Sequence, residues 1–116
     1  MKRSLRPVDA IPLTVRSRRF PGSEELNRLV TRHLGSTTNR FGERIRSIVV
    51  CLDDVNGSRG GVDKSCRVEL SMADGDTIHV RGLGATLEAA IAAAAPRTRS
   101  VLVRKIGRSR TRRDKY

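Results

Sequence analysis

Cys66-Arg67-Val68-Glu69-Leu70-Ser71-Met72-Ala73-Asp74-Gly75-Asp76-Thr77-Ile78-His79-Val80-Arg81 is the stretch whose reading decides the fold. Up to Met72 it alternates cleanly. Cys66, Val68, Leu70 and Met72 fall on one face; Arg67, Glu69 and Ser71 fall on the other. Successive side chains of a strand point to opposite faces, so this is a strand with one buried side. Asp74-Gly75 is a hairpin turn, because such turns need the positive φ that glycine adopts without strain. Thr77 to Arg81 returns with Ile78 and Val80 inward and Thr77, His79 and Arg81 outward.

Upstream, Ile45 to Asp53 carries the apolar run Ile48-Val49-Val50-Cys51-Leu52. It is apolar on both faces in its centre, which predicts an interior strand. Asp54 to Val62 contains Gly57, Gly60 and Gly61 and reads as a mobile loop. Gly60-Gly61 beside Arg59 is not a phosphate cradle, because no Lys-Ser/Thr and helix start follow it. Further back, Ser23 is placed to cap a helix, with Glu24 and Glu25 in the first turn where the dipole favours acids. Leu26, Leu29, Val30, His33 and Leu34 make its buried stripe. Gly35 weakens or ends that helix, with continuation through Thr37 and Thr38 toward Phe41 as the alternative. Ile11 to Arg16 is a first strand, closed off by Pro21-Gly22.

Downstream, Thr86 caps a last helix. Leu87, Ala90, Ile91, Ala94, Thr98, Val101 and Leu102 keep helical period across Pro96, which predicts one helix kinked at the proline. Arg97, Arg104 and Arg108 share a narrow arc beside that stripe. Beyond Arg108 no apolar partner remains, so the end is expected to be disordered when unbound. The predicted class is α+β in the order β-α-β-β-β-α. A four-stranded mixed sheet has two helices on one face and solvent on the other, and its first two strands are parallel through a crossover. The expected boundaries are a basic extension over 1–10, one domain over 11–108 and a basic tail over 109–116. In this arrangement the arginine edge of the last helix lies beside the basic end of the first strand, so both ends of the chain form one surface.

A chain of 116 residues is one domain's worth, with a single modest core. Its net charge of +12 is concentrated at the ends. Residues 1–20 hold six bases and one acid, residues 21–96 nine bases and ten acids, and residues 97–116 nine bases and one acid. Charge gathered this way is an electrostatic footprint for nucleic acid or another polyanion. No apolar run spans a membrane, and the basic start is not followed by the apolar core of a signal peptide, so the cytoplasm is expected. Cys51 and Cys66 are too few for a disulfide framework. If Cys66 points to the core and Cys51 to the opposite face, the two cannot pair.

No catalytic constellation is present. His33 lies on a helix stripe, where packing accounts for it. His79 has no neighbouring nucleophile. Asp53, Asp54, Asp74 and Asp76 fall in loops and turns, where turn chemistry accounts for acids. There is no zinc spacing, P-loop or dinucleotide fingerprint, so no metal, cofactor, small-molecule substrate or enzymatic activity is expected. The only aromatics are Phe20, Phe41 and Tyr116, none of them in the sheet strands. Base stacking on the sheet is therefore disfavoured, and phosphate contact is favoured.

Three passages carry a resemblance: Arg44-Ile45-Arg46-Ser47-Ile48-Val49-Val50-Cys51-Leu52 after Phe41, the hairpin from Cys66 to Val80, and Leu87-Glu88-Ala89-Ala90-Ile91 before the chain turns basic. In this order they resemble a short form of the ribosome hibernation-promoting factor and ribosome-associated inhibitor A family, also called the sigma-54 modulation family. Ala92, where the family often has Asp, together with Pro96 and Gly35, departs from its pattern. The resemblance implies a fold like a double-stranded-RNA-binding domain. It also implies binding to 16S rRNA of the small (30S) subunit near the decoding centre, in the 70S ribosome. The bound protein would block messenger and transfer RNA under stress, and it would be monomeric in isolation. The residues it points to are Arg16, Arg18 and Arg19 after the first strand, Arg28 and Arg32 on the first helix, and Arg97, Arg104, Lys105, Arg108 and Arg110 on the last. The alternative is a general nucleic-acid-binding regulatory module acting through its arginine-rich ends.

Overall fold

The computed structural model of the chain describes residues 11–54 and 63–114, with side chains through Gly107. The basic extension over 1–10 and nearly all of the expected glycine loop lie outside the described residues. The elements follow the predicted order: β1 (Leu13–Arg18), α1 (Glu24–Thr38), a short 3₁₀ turn (Asn39–Arg44), β2 (Ile45–Asp54), β3 (Lys64–Met72), β4 (Thr77–Gly84) and α2 (Leu87–Asp114). The four strands form one sheet in the order β1-β2-β3-β4. β1 pairs with β2 in parallel, and the other two pairings are antiparallel. The fold is thus α+β with a mixed sheet, and β2 is interior.

Local chemistry explains each boundary. The Ser23 hydroxyl accepts the Leu26 N–H at 3.2 Å and starts α1. Gly35 does not end that helix. Thr37 and Thr38 continue it, their hydroxyls donating to the carbonyls of His33 and Leu34 at 3.0 and 2.7 Å. The Thr86 hydroxyl accepts the Ala89 N–H at 3.0 Å and starts α2. Pro96 lies inside α2, which remains one helix. Its ring removes a bond to the Ala92 carbonyl, and both residues are exposed, so water can satisfy that oxygen. The α2 backbone stays helical to Asp114, where a loose tail had been expected beyond Arg108.

The core lies between the helices and one sheet face. Val30 and Leu34 from α1 meet Ile48, Val50 and Leu52 of β2, Cys66, Val68 and Leu70 of β3, and Ala90, Ile91, Ala94 and Leu102 of α2. Phe20 and Phe41 pack against its margin. The small residues of α2 have a specific use. A Cβ on Gly82 would come within 2.4 Å of the Ala90 carbonyl oxygen, and one on Gly84 within 2.7 Å of the Ala90 nitrogen. The helix therefore rests directly on the β4 backbone, which only glycine facing alanine permits. This contact anchors α2 along the β4 edge.

The two cysteines are on opposite faces, the arrangement in which they cannot pair. Cys66 is fully buried, while Cys51 is half-buried on the other side. Burial pushes the Cys66 thiol up to about 12.

Candidate nucleic-acid interface

Among the described residues no element covers the sheet face away from the helices, though Ser65 on it is buried. The strand registers arrange its side chains in rows at right angles to the strands. Arg16 of β1 stands opposite Cys51 of β2, Cys51 opposite Arg67 of β3, and Arg67 opposite Arg81 of β4. All three arginines are exposed. On one side of this row, Thr14, Val49, Glu69 and His79 form the next. On the other, Arg18, Asp53, Ser65 and Leu83 form a third.

Two of these rows carry their own acid. Glu69 faces His79 across the strands. Asp53 takes both oxygens into a forked pair with the Arg19 guanidinium at 2.9 Å. Arg19 reaches it from a left-handed backbone, φ 70°. Among the described residues no acid pairs with Arg16, Arg67 or Arg81.

A second basic region lies around the β4 edge. The Arg97 guanidinium donates to the Arg81 carbonyl at 2.8 Å. A groove beside that bond is lined by His79 and Arg81 from β4 and by Arg97, Ser100 and Arg104 from α2. Val80, Pro96 and Val101 complete its lining, and no acid belongs to it. Arg81 thus belongs to both regions and joins the groove to the sheet face.

The remaining residues expected at the site divide. Arg16 and Arg18 are on the open face. Arg28 and Arg32 are exposed on α1, and Arg28 lies 3.6 Å from Glu24 one turn away. Lys105 is committed to the hairpin turn. Its ammonium bonds Asp76 and sits 3.2 Å from Asp74. The Asp76 contact, then Asp74, raises the lysine above its ordinary value. The Asp74 carboxyl is held low, first by the backbone N–H of Asp76 at 2.9 Å and then by Lys105. The side chains of Arg108 and Arg110 lie outside the described ones.

One expectation is corrected. The basic end of β1 and the arginine edge of α2 are not side by side. β1 is one margin of the sheet, and α2 packs chiefly on β4 at the other, about 14 Å away at the usual strand spacing. What connects them is Arg67 and Arg81, from the stretch whose charges balance. The sequence marked both as outward-facing, but only the register shows that they stand opposite each other.

Among the described residues no helix is long and apolar enough to cross a membrane, and no His, Cys, Asp and Glu gather as metal ligands.

The fold has known counterparts. It is similar to the Protein Y N-terminal domain from Thermus thermophilus, with a TM-score of 0.64 at 18% identity, covering 81% of this chain and 96% of that one. It is also similar to a ribosomal subunit interface protein from Coxiella burnetii, with a TM-score of 0.69 at 13% identity, covering 84% of this chain and 99% of that one. At these identities the likeness is one of fold. No protein-family profile matches the chain, and no curated protein does.

Proposed function

We propose that this chain is a ribosome-associated factor of the hibernation-promoting type, which seats on the small subunit near the decoding centre and holds rRNA by its phosphates. The observation that carries the reading is the acid-free groove of Arg81, Arg97 and Arg104. Gathering like charges costs electrostatic energy unless an anion joins them, and guanidinium groups suit phosphate. The fold likeness to a ribosomal subunit interface protein supports the ribosome as the partner that carries those phosphates. Both phenylalanines among the described residues pack against the core, so contact is with backbone rather than with stacked bases. Seated in the messenger channel, a domain of this size excludes messenger and transfer RNA by occupancy, without chemistry. It acts in the cytoplasm as a monomer.

Sedimentation of lysate at low and high salt tests this. The protein is expected with the 30S and 70S fractions at low salt and released at high salt, since each neutralised phosphate contributes about 0.7–0.9 to the log–log salt slope. Absence from both fractions at low salt refutes it. A general nucleic-acid module is the second reading, favoured by the arginine-rich helix end after Ile106. Equal affinity for random duplex DNA and for purified subunits would select it.

A further inference from the structure

We infer that the open sheet face is itself a phosphate-contacting surface, on which an RNA backbone crosses the strands along the row Arg16, Arg67 and Arg81. This rests on the reading of the protein as an RNA binder and adds residues to it. The row is where the fold departs from its own rules. Like charges directly opposite each other on paired strands are destabilising. Arg67 and Arg81 are such a pair, and Arg16 stands in the same row beyond Cys51. Both neighbouring rows contain an acid, and this row has none.

The relief of the face fits the same ligand. Cys51 and Val49 are short and half-buried, so the guanidinium groups stand above a low floor. Arg18, Arg67 and Arg81 line a shallow depression over Cys51 and Ser65. Its one acid, Asp53, is occupied by Arg19. The line from Arg16 to Arg81 spans about 14 Å, enough for successive phosphates of one strand. At Arg81 it continues into the groove with Arg97 and Arg104. No described Phe, Tyr or Trp interrupts it, and the one ring on the face, His79, lies in the neighbouring row. Such a cationic sheet favours structured RNA held by its backbone over single strands read by stacking.

The test uses the full chain carrying Arg67→Ala, with Arg97→Glu/Arg104→Glu as a second variant. Two probes are used: purified 30S subunits, and a duplex RNA of about 16 base pairs. Arg67→Ala is expected to weaken binding roughly fivefold at about 0.1 M salt and to lower the salt slope by about 0.7–0.9. Its thermal midpoint should stay level or rise, because the like-charge pair is gone. A residue needed only for folding would shift stability the other way. Unchanged affinity and slope for Arg67→Ala on both probes overturns the inference. If Arg97→Glu/Arg104→Glu then still releases the subunits, the groove reading stands without it. If Arg67→Ala weakens the duplex RNA complex while even the wild-type chain ignores subunits, the sheet-face inference stands and the ribosomal reading falls.

Discussion

Gly82 of β4 lies directly under Ala90 of α2, with no room for a methyl group between the strand and the helix backbone. A Cβ there would sit 2.4 Å from the Ala90 carbonyl oxygen and 2.5 Å from the Ala94 nitrogen. The obstructing atoms are backbone, so the whole helix must lift. Gly82→Ala is expected to destabilise the domain by about 1–3 kcal/mol, the usual range for overpacking. Urea denaturation would show this as a lower midpoint at unchanged slope. A change at Gly35, where nothing approaches within 4 Å, is expected to stabilise α1 by up to about 1 kcal/mol as alanine.

The hairpin turn is fastened to α2 by Lys105. Asp74 is held below its ordinary value by the Asp76 N–H and by Lys105. A carboxyl depressed on folding contributes stability above its unfolded value of 3.8, and this is lost as pH falls through the lower folded one. Lys105 is raised on folding, so its contribution is complete below 10.5 and is lost at higher pH. Lys105→Met should keep the stem's packing, remove the lysine's share of the alkaline loss, and reduce without abolishing the acid loss, because the Asp76 N–H still holds Asp74 low. Thermal midpoints measured across pH would show it. A Lys105→Met profile that still matches wild type at both extremes would mean the turn is held by other contacts.

Cys66 and Cys51 should separate cleanly in labelling. A maleimide is expected to modify half-exposed Cys51 in the native protein and to reach Cys66 only after unfolding. The same burial has a pH consequence. Between 9.0 and about 12 the unfolded thiol ionises while the folded one keeps its proton. Stability should therefore fall by about 1.4 kcal/mol per pH unit in that window. Cys66→Val should remove this slope.

Arg19 combines a left-handed backbone with a forked ion pair to Asp53. The two features are separable by substitution. Arg19→Ala keeps the strain and loses the pair, whereas Arg19→Gly loses both. Arg19→Gly is expected to be more stable than Arg19→Ala by about 1 kcal/mol, the cost of the left-handed region to a side chain. Both leave the Asp53 charge unpaired next to Arg18, so both should weaken RNA binding at low salt. Equal stability of the two variants would show that the backbone at residue 19 relaxes.

The element order was legible because strand alternation and helix stripes are local signals. The hairpin from Cys66 to Arg81 and the Ser23 and Thr86 caps followed from parity and spacing. The Gly82–Ala90 contact did not, because it depends on how the helix is rotated against a strand eight residues away. Lys105 on the turn was missed for a similar reason: the partner acids are 29 and 31 positions away. Arg67 and Arg81 were each readable as outward-facing, but charge counted along the chain hid them within a balanced segment. Net charge by segment marks the ends of a chain. It does not show which charges a sheet brings together, and here the sheet puts β1 and α2 at opposite margins.

The Arg97 bond to the Arg81 carbonyl bears on how copies of this chain meet. β4 is a terminal strand of the sheet, and the free carbonyls of such a strand invite a strand from another molecule. Here one of them is already occupied from within. The opposite margin, β1, presents Arg16 and Arg18. Two molecules approaching edge to edge therefore bring arginine against arginine. The charge arrangement proposed to draw a polyanion is therefore expected to oppose edge-to-edge association as well.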